Sequence, residues 1–219
     1  MLPTSEEFTQ YAEALGINNN DTVILYDTLG MFSAPRVWWM FRYFGHDNVF
    51  VLNGGLPAWK ADGKALDETK MDVLPPYVSE GFKAVERKDM VASLDDVKSI
   101  VASGGPTILD ARSAGRFSGE VPDPRGVRPG HMPRSVNMAM TAVLDDEGRM
   151  LPKDQLERIF DKIELKNGAV TSCGSGVTAC IVSLALYEAG YRGNGHQIVY
   201  DGSWAEWGSD AGGEVLTGP

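Results

Sequence analysis

Cysteine, histidine, positive charge and long apolar runs are all scarce in this chain, and each shortage narrows what it can be. Two cysteines among 219 residues cannot build a disulfide scaffold. They fit a reducing compartment in which a thiol stays available. Three histidines, with the cysteines spaced Cys173-x6-Cys180, match no zinc pattern, so no metal site and no cofactor are expected. Lys and Arg number 20 against 30 Asp and Glu, a net charge of −10 that argues against non-specific nucleic-acid binding and against an anionic membrane surface. No apolar stretch approaches the roughly 20 residues of a membrane-spanning helix. The start, Met1 to Glu7, has neither a basic nor an apolar leader segment. No secretory signal is visible there, and the cytoplasm is the default location unless an upstream segment has been lost. The remainder, 43% hydrophobic and 23% charged, is an ordinary globular composition with room for one large domain or two small ones.

The most informative stretch is Cys173-Gly174-Ser175-Gly176-Val177-Thr178-Ala179. A β-branched run, Ala169 to Ser172, leads into the cysteine, and an almost wholly apolar helical segment follows from Val177 to Ala189. A cysteine between a strand end and a helix start is surrounded by backbone N–H groups and the positive end of a helix dipole. These stabilise a thiolate, so Cys173 reads as a nucleophile rather than a packing residue. Cys180 lies inside the apolar helix and reads as core.

The chain repeats itself at an offset of 146 to 149 residues. Leu2-Pro3 matches Leu151-Pro152. Phe8, Tyr11, Ala12 and Leu15 recur at helical spacing, as do Leu156, Ile159, Phe160 and Ile163. Thr4 with Glu7, and Asp154 with Glu157, have the spacing of capping boxes. Strands follow at Val23–Tyr26 and Ala169–Ser172, then helices at Pro35–Phe44 and Val177–Ala189. Strands at Val49–Leu52 and Gln197–Tyr200 come next. Each copy closes on a Gly- and Trp-bearing segment, Asn53 to Trp59 and Asp201 to Trp207. Asp27 stands where Cys173 stands, and a carboxylate is no substitute for a nucleophilic thiolate, so the first copy should be catalytically silent. Alternating strands and helices imply an α/β fold with parallel sheets in a duplicated domain. The second copy has a front half, with a helix through Leu94, Val97, Ile100 and Val101 and a strand at Thr107–Leu109, and the first copy has none. By symmetry about 70 residues of the first domain are expected to be missing. The division is then 1–65 for the incomplete silent domain, 66–80 for a linker, and 81–219 for the catalytic domain.

Arg116 and Arg125 lie in a Gly- and Pro-rich loop after the Thr107 strand. Loops at the carboxyl ends of parallel strands gather on one sheet edge, so this loop can meet the cysteine loop. Two guanidinium groups beside a thiolate suit a small anion held by its carboxylate. The plain alternative, two surface charges in a loop, stays open at this level.

Together these residues resemble the two-domain sulfurtransferases of the rhodanese superfamily, and most nearly the members that use 3-mercaptopyruvate. The likeness rests on the loop Cys173 to Ala179, on Arg116 and Arg125 nine residues apart, on Gly130-His131-Met132-Pro133, and on Asp201-Gly202-Ser203-Trp204 with Gly54 to Trp59 in the first copy. The resemblance implies tandem rhodanese-like domains with parallel sheets flanked by helices, the first incomplete. It also implies that the Cys173 thiolate takes sulfur from 3-mercaptopyruvate as a persulfide and releases pyruvate. The sulfur then passes to a thiol acceptor, such as thioredoxin or a small thiol, or to cyanide. Ser175 would relay a proton to the leaving enolate or bond the substrate. Backbone groups of Gly174, Gly176, Val177, Thr178 and Ala179 would line the substrate and persulfide site, and Arg116 and Arg125 would orient the carboxylate. The family's serine works with a histidine and an aspartate from the front of its first domain. That part is expected to be missing, and His46 does not match the histidine. Arg134 replaces the glycine that follows Gly-His-x-Pro in the family, which bears on the turn or the local charge.

Relatives that use thiosulfate carry basic residues just after the cysteine. Here those places are Gly174 and Ser175, which favours a monocarboxylate. A thiosulfate sulfurtransferase stays open, as does a persulfide-carrying module that loads once without turnover for want of the missing segment. Cysteine phosphatases need an arginine six residues after the nucleophile, where this chain has Ala179. Gly174 to Ala179 also fits G-x-G-x-x-A between a strand and a helix, but only 18 residues follow Asp201, too few for the rest of a dinucleotide-binding sheet. His131 reads as a turn-fixing residue, His196 as a loop residue, Trp204 and Trp207 as packing, and Trp38-Trp39 as core plus interface.

Overall fold

Two parallel sheets organise the chain in a computed structural model that describes residues 1–67, 81–193 and 195–219. The first part runs α1 (Ser5–Ala14), β1 (Val23–Leu25), α2 (Ala34–Tyr43), β2 (Val49–Val51) and α3 (Gly55–Ala61). β1 and β2 pair in parallel, Val23 opposite Val49. The second part runs β3 (Val91–Ala92), α4 (Leu94–Ser103), β4 (Thr107–Asp110), α5 (Ala114–Ser118), β5 (Ser135–Asn137), α6 (Lys153–Phe160), β6 (Ala169–Ser172), α7 (Ala179–Glu188), β7 (Ile198–Tyr200) and α8 (Ser203–Trp207). Its five strands are ordered β3-β7-β6-β4-β5, all parallel. β6 is central and buried at all four residues, as a strand covered on both faces must be. The expected linker lies outside the described residues from 68 onward.

The repeat is visible in three dimensions, with differences at its ends. Thr4 and Glu7 form the expected capping box. The expected counterpart at Asp154 and Glu157 does not form, because α6 begins after Pro152, which has no capping side chain. Asp154 lies inside that helix and pairs with Arg158 at 3.0 Å, and Glu157 pairs with Lys153 at 3.5 Å. The helix expected from Val177 starts at Ala179. Val177 and Thr178 instead form tight turns whose carbonyls accept from Cys180 and Ile181.

One apolar cluster joins the two parts, passing from Phe8 through Trp38, Trp39 and Phe44 into α7. Trp38 packs edge-on against Tyr187 at 5.3 Å, and Trp39 Nε1 donates to the Gln197 carbonyl at 3.3 Å. A second cluster covers the other face of the large sheet, with Ile108, Val170, Tyr200, Trp204 and Trp207. Both Trp204 and Trp207 are packing residues. Among the described residues, no helix is long and apolar enough to cross a membrane. The carboxyl ends of β4, β6 and β7 lie side by side in the sheet; Cys173 directly follows β6, Asp201 directly follows β7, and the segment that carries Arg116 and Arg125 leaves β4.

Candidate active site

Cys173 is the first residue after β6 and is 2% exposed, a free thiol at the floor of a cavity of about 460 Å³. Around it the loop turns its carbonyls outward. The Cys173 and Gly174 carbonyls accept from the Trp204 and Ala205 N–H groups in the first turn of α8, both at 2.9 Å. The Gly176 carbonyl accepts from Arg36 Nη1 at 3.2 Å and from the Cys180 thiol at 3.4 Å. A peptide whose carbonyl is held outward turns its N–H inward. Among the described residues, nothing accepts from the N–H groups of Gly174, Ser175, Gly176, Val177 or Thr178. The loop is therefore a ring of donors around the cysteine, suited to an anion.

The first copy shows what such a ring holds. Asp27 follows β1 as Cys173 follows β6, and its carboxylate accepts from the N–H groups of Leu29, Phe32, Ser33 and Ala34 at 2.8 to 3.0 Å. Partial burial works against that charge, but the four donors outweigh it and hold the Asp27 pKa below the usual carboxylate value. A folded pKa depressed in this way contributes stability above the unfolded value of about 4, and the contribution is lost as pH falls through the folded value. Asp27→Asn is expected to cost about 1 kcal/mol at neutral pH, a small figure because the group is half-exposed. The deficit should shrink at about pH 3, where the parent loses the same contribution. Denaturant titrations at both pH values check this, and an equal deficit at both would contradict it.

Arg116 on α5 and Arg125 in the loop after it both reach the cysteine loop. A Cβ placed on Gly174 would lie 2.7 Å from Arg125 Nη1 and 3.1 Å from Arg116 Nη2. Both arginines line the cavity together with Cys173, Gly174, Ser175, Val177 and Thr178. Arg125 Nη2 donates to Ser175 Oγ at 3.0 Å, which leaves the exposed Ser175 hydroxyl free to donate its own proton. Gly176 and Ala179 are not on the cavity wall. Gly176 packs behind the loop against Asp201 and Arg36, and Ala179 is buried at the start of α7.

Several residues that shape the site were not singled out from the sequence. Asp123 is buried between the two arginines, bonded to Arg116 and 3.3 Å from Arg125 Nη1. Burial opposes its charge, but the Arg116 bond, the Arg125 backbone N–H and both guanidinium charges hold its pKa below the usual value. Ser203 sits at φ 51 and accepts from the Cys173 N–H at 3.3 Å. Phe32 of the first part lines the same cavity. Asp123 and Ser203 were within reach, since each belongs to a segment already noted for its neighbours. Arg36 and Phe32 were not, because their contacts cross about two thirds of the chain.

The other histidines and the second cysteine behave as packing and turn residues. His131 Nδ1 lies 2.9 Å from the Phe117 carbonyl, and its ring stacks on Phe117 at 3.9 Å, which steadies α5 and hence Arg116. His46 is buried against Phe41 and Phe82. His196 bridges the Gly193 and Leu165 carbonyls. Arg134 takes φ 63, so the turn keeps the left-handed shape a glycine would have there. Burial pushes the Cys180 thiol up to about 12, so it stays protonated at neutral pH.

Comparison with known proteins gives the same architecture a family. The rhodanese-like domain model matches residues 1–62 and 93–210. Thiosulfate/3-mercaptopyruvate sulfurtransferase 2 of Arabidopsis thaliana is 40% identical over 94% of this chain, and the chain spans 66% of that protein, just under two thirds. A probable 3-mercaptopyruvate sulfurtransferase of Schizosaccharomyces pombe is 41% identical over the whole chain and 76% of its own length. The crystal structure of SseA from Escherichia coli superposes with a TM-score of 0.77 at 35% identity, covering 93% of this chain and 74% of that one. With parallel sheets flanked by helices and two rhodanese-like segments, this chain belongs to the rhodanese-like family.

Proposed function

We propose that this chain is a sulfurtransferase that takes sulfur from 3-mercaptopyruvate onto Cys173 and hands it to a thiol or to cyanide. The observation that carries this reading is the meeting of three things at one cavity: a cysteine at a strand end, a loop whose N–H groups have no acceptor among the described residues, and two arginines joined by one buried aspartate. Both relatives named above carry 3-mercaptopyruvate in their names, the Arabidopsis protein together with thiosulfate.

The substrate is a short α-keto acid with a thiol on its methyl carbon. Arg116 and Arg125 hold its carboxylate, and the Asp123 clamp keeps both guanidinium groups pointed at the loop. The Cys173 thiolate attacks the substrate sulfur. An S–S bond forms, the C–S bond breaks, and its electron pair moves into the enolate of pyruvate. The enolate takes one proton at carbon, supplied through the Ser175 hydroxyl. The S–H proton of the transferred sulfur balances it as the persulfide ionises within the ring of N–H donors. An acceptor thiolate or cyanide then attacks the outer sulfur and restores the Cys173 thiolate. Arg125 donating to Ser175 Oγ orients that hydroxyl for the proton step. The residues after the cysteine are Gly174 and Ser175, and the third arginine on the cavity wall, Arg112, is paired with the buried Asp110, so the charge offered to a substrate comes mainly from Arg116 and Arg125, which matches one carboxylate better than the compact dianion thiosulfate. The first copy is the silent partner, its ring already occupied by Asp27.

Intact-mass measurement after incubation with 3-mercaptopyruvate, and separately with thiosulfate, tests the donor. A one-sulfur adduct from 3-mercaptopyruvate with more than one equivalent of pyruvate is expected once an acceptor thiol is present. An adduct from thiosulfate alone would overturn the donor assignment. One equivalent of pyruvate that never rises would point to a persulfide carrier without turnover.

A further inference from the structure

The catalytic loop is held from behind by a residue of the silent copy. Arg36 lies on the first turn of α2, is 9% exposed, and reaches across to the second part. Its Nη2 pairs with Asp201 Oδ1 at 2.6 Å, and its Nη1 donates to the Gly176 carbonyl at 3.2 Å. Asp201 directly follows β7, and its other oxygen accepts from the Leu2 N–H at 2.8 Å. Two segments of the first part thus converge on the underside of the cysteine loop.

This contact falls where the loop is least able to hold itself. The other outward carbonyls are fixed by neighbours in their own part: those of Cys173 and Gly174 by α8, those of Val177 and Thr178 by the following turn. Gly176 has φ 79, a conformation open to glycine and strained for other residues, and glycine also resists peptide rotation least. Apart from the weak Cys180 thiol donor, only Arg36 among the described residues fixes this carbonyl. If the Gly176 peptide turned over, a carbonyl would replace an N–H in the ring around Cys173 and repel an anion there. A buried ion pair is in itself weak evidence for stability, because desolvation offsets much of the attraction. Its place against Gly176, where even a Cβ would lie 3.0 Å from Asp201 Oδ1 and 3.2 Å from Arg36 Nη1, gives it a different use.

We infer that Arg36 is a positioning residue for sulfur transfer: from the silent copy it locks the Gly176 peptide so that the loop keeps its N–H groups on the Cys173 thiolate and persulfide. The inference rests on Cys173 as the nucleophile. The charged groups around the loop are Arg116, Arg125 and Asp123 on the cavity side, the Arg112–Asp110 pair at the end of β4, and Arg36 with Asp201 behind. Only the last pair is altered in the test.

The test uses the full chain with Arg36→Met, Arg36→Lys and the double change Arg36→Met/Asp201→Asn. The double variant removes both charges together, so no uncompensated buried charge remains and folding is retained if Arg36→Met alone fails to fold. Two readouts are taken: iodoacetamide alkylation of Cys173 at neutral pH, and kcat and KM for pyruvate release from 3-mercaptopyruvate. The Met and double variants are expected to alkylate about fivefold more slowly. Their kcat should fall about tenfold with KM within about twofold, because Arg116 and Arg125 are untouched, and Arg36→Lys should recover part of both losses. A double variant that melts, alkylates and turns over like the parent overturns the inference. If the parent itself gives no persulfide and no pyruvate, the sulfurtransferase reading fails instead. The alkylation comparison needs no substrate and still decides whether Arg36 positions the loop.

Discussion

Cys173→Ser is expected to abolish sulfur transfer while leaving the fold in place. Cys173 is buried at the junction of β6 and its loop, where a hydroxyl fits the space of a thiol, so the stability change should stay below about 1 kcal/mol. The chemistry does not survive the exchange. A serine hydroxyl is not ionised at neutral pH, and oxygen cannot carry the transferred sulfur as a persulfide, so pyruvate release should fall by at least about three orders of magnitude. Peptide mapping sharpens the result. Fragmentation of the peptide that carries both cysteines should place the added sulfur in the parent on Cys173 and not on Cys180, whose thiol burial pushes up to about 12 and keeps protonated. Sulfur found on Cys180, or turnover retained by Cys173→Ser, would remove Cys173 from the nucleophile's place.

The sequence made the local parts of this site readable and left its distant parts hidden, for a physical reason. Strand, cysteine, glycine turn and apolar helix form one continuous segment, so their order alone places Cys173 at the carboxyl edge of a parallel strand. The arginines were legible as a pair because both lie in the one segment after β4, although Arg116 sits on the short helix α5 there rather than in a loop. What the sequence could not show is how that loop is held. Asp123 turns two loosely placed guanidinium groups into one clamp, and this depends on its burial between them. The outward hold on the loop comes from α8 and from Arg36, about 30 and 140 residues away, and no periodicity records such contacts. The repeat was the exception among long-range features. Matching Asp27 to Cys173 by offset alone placed a carboxylate in the first ring, where four N–H groups do hold it. The failed capping box at α6 shows the opposite error, since a matching spacing did not fix which residue begins the helix.

Substitutions at the arginine clamp should separate substrate holding from sulfur chemistry. Arg125→Met is expected to raise KM for 3-mercaptopyruvate about ten- to a hundredfold, as the loss of a charge-assisted bond of about 1.5–3 kcal/mol requires. Its effect on stability should be small, because Arg116 still faces Asp123. Arg116→Met removes the closer partner of a buried carboxylate, so it should raise KM and also lower the melting temperature. Gly174→Ala reaches the same pair without touching any charge. Gly174 does not have the left-handed φ of Gly176, so alanine brings no backbone strain there. Its new Cβ would lie 2.7 Å from Arg125 Nη1 and 3.1 Å from Arg116 Nη2, and the guanidinium groups, at the ends of flexible side chains, must swing away. If they hold the carboxylate, Gly174→Ala should raise KM about tenfold with the melting temperature nearly unchanged, since a misplaced clamp forfeits orientation rather than folding energy. A parent-like KM in both Arg125→Met and Gly174→Ala would mean that the carboxylate binds elsewhere in the cavity, and the two arginines would return to being charges of a loop.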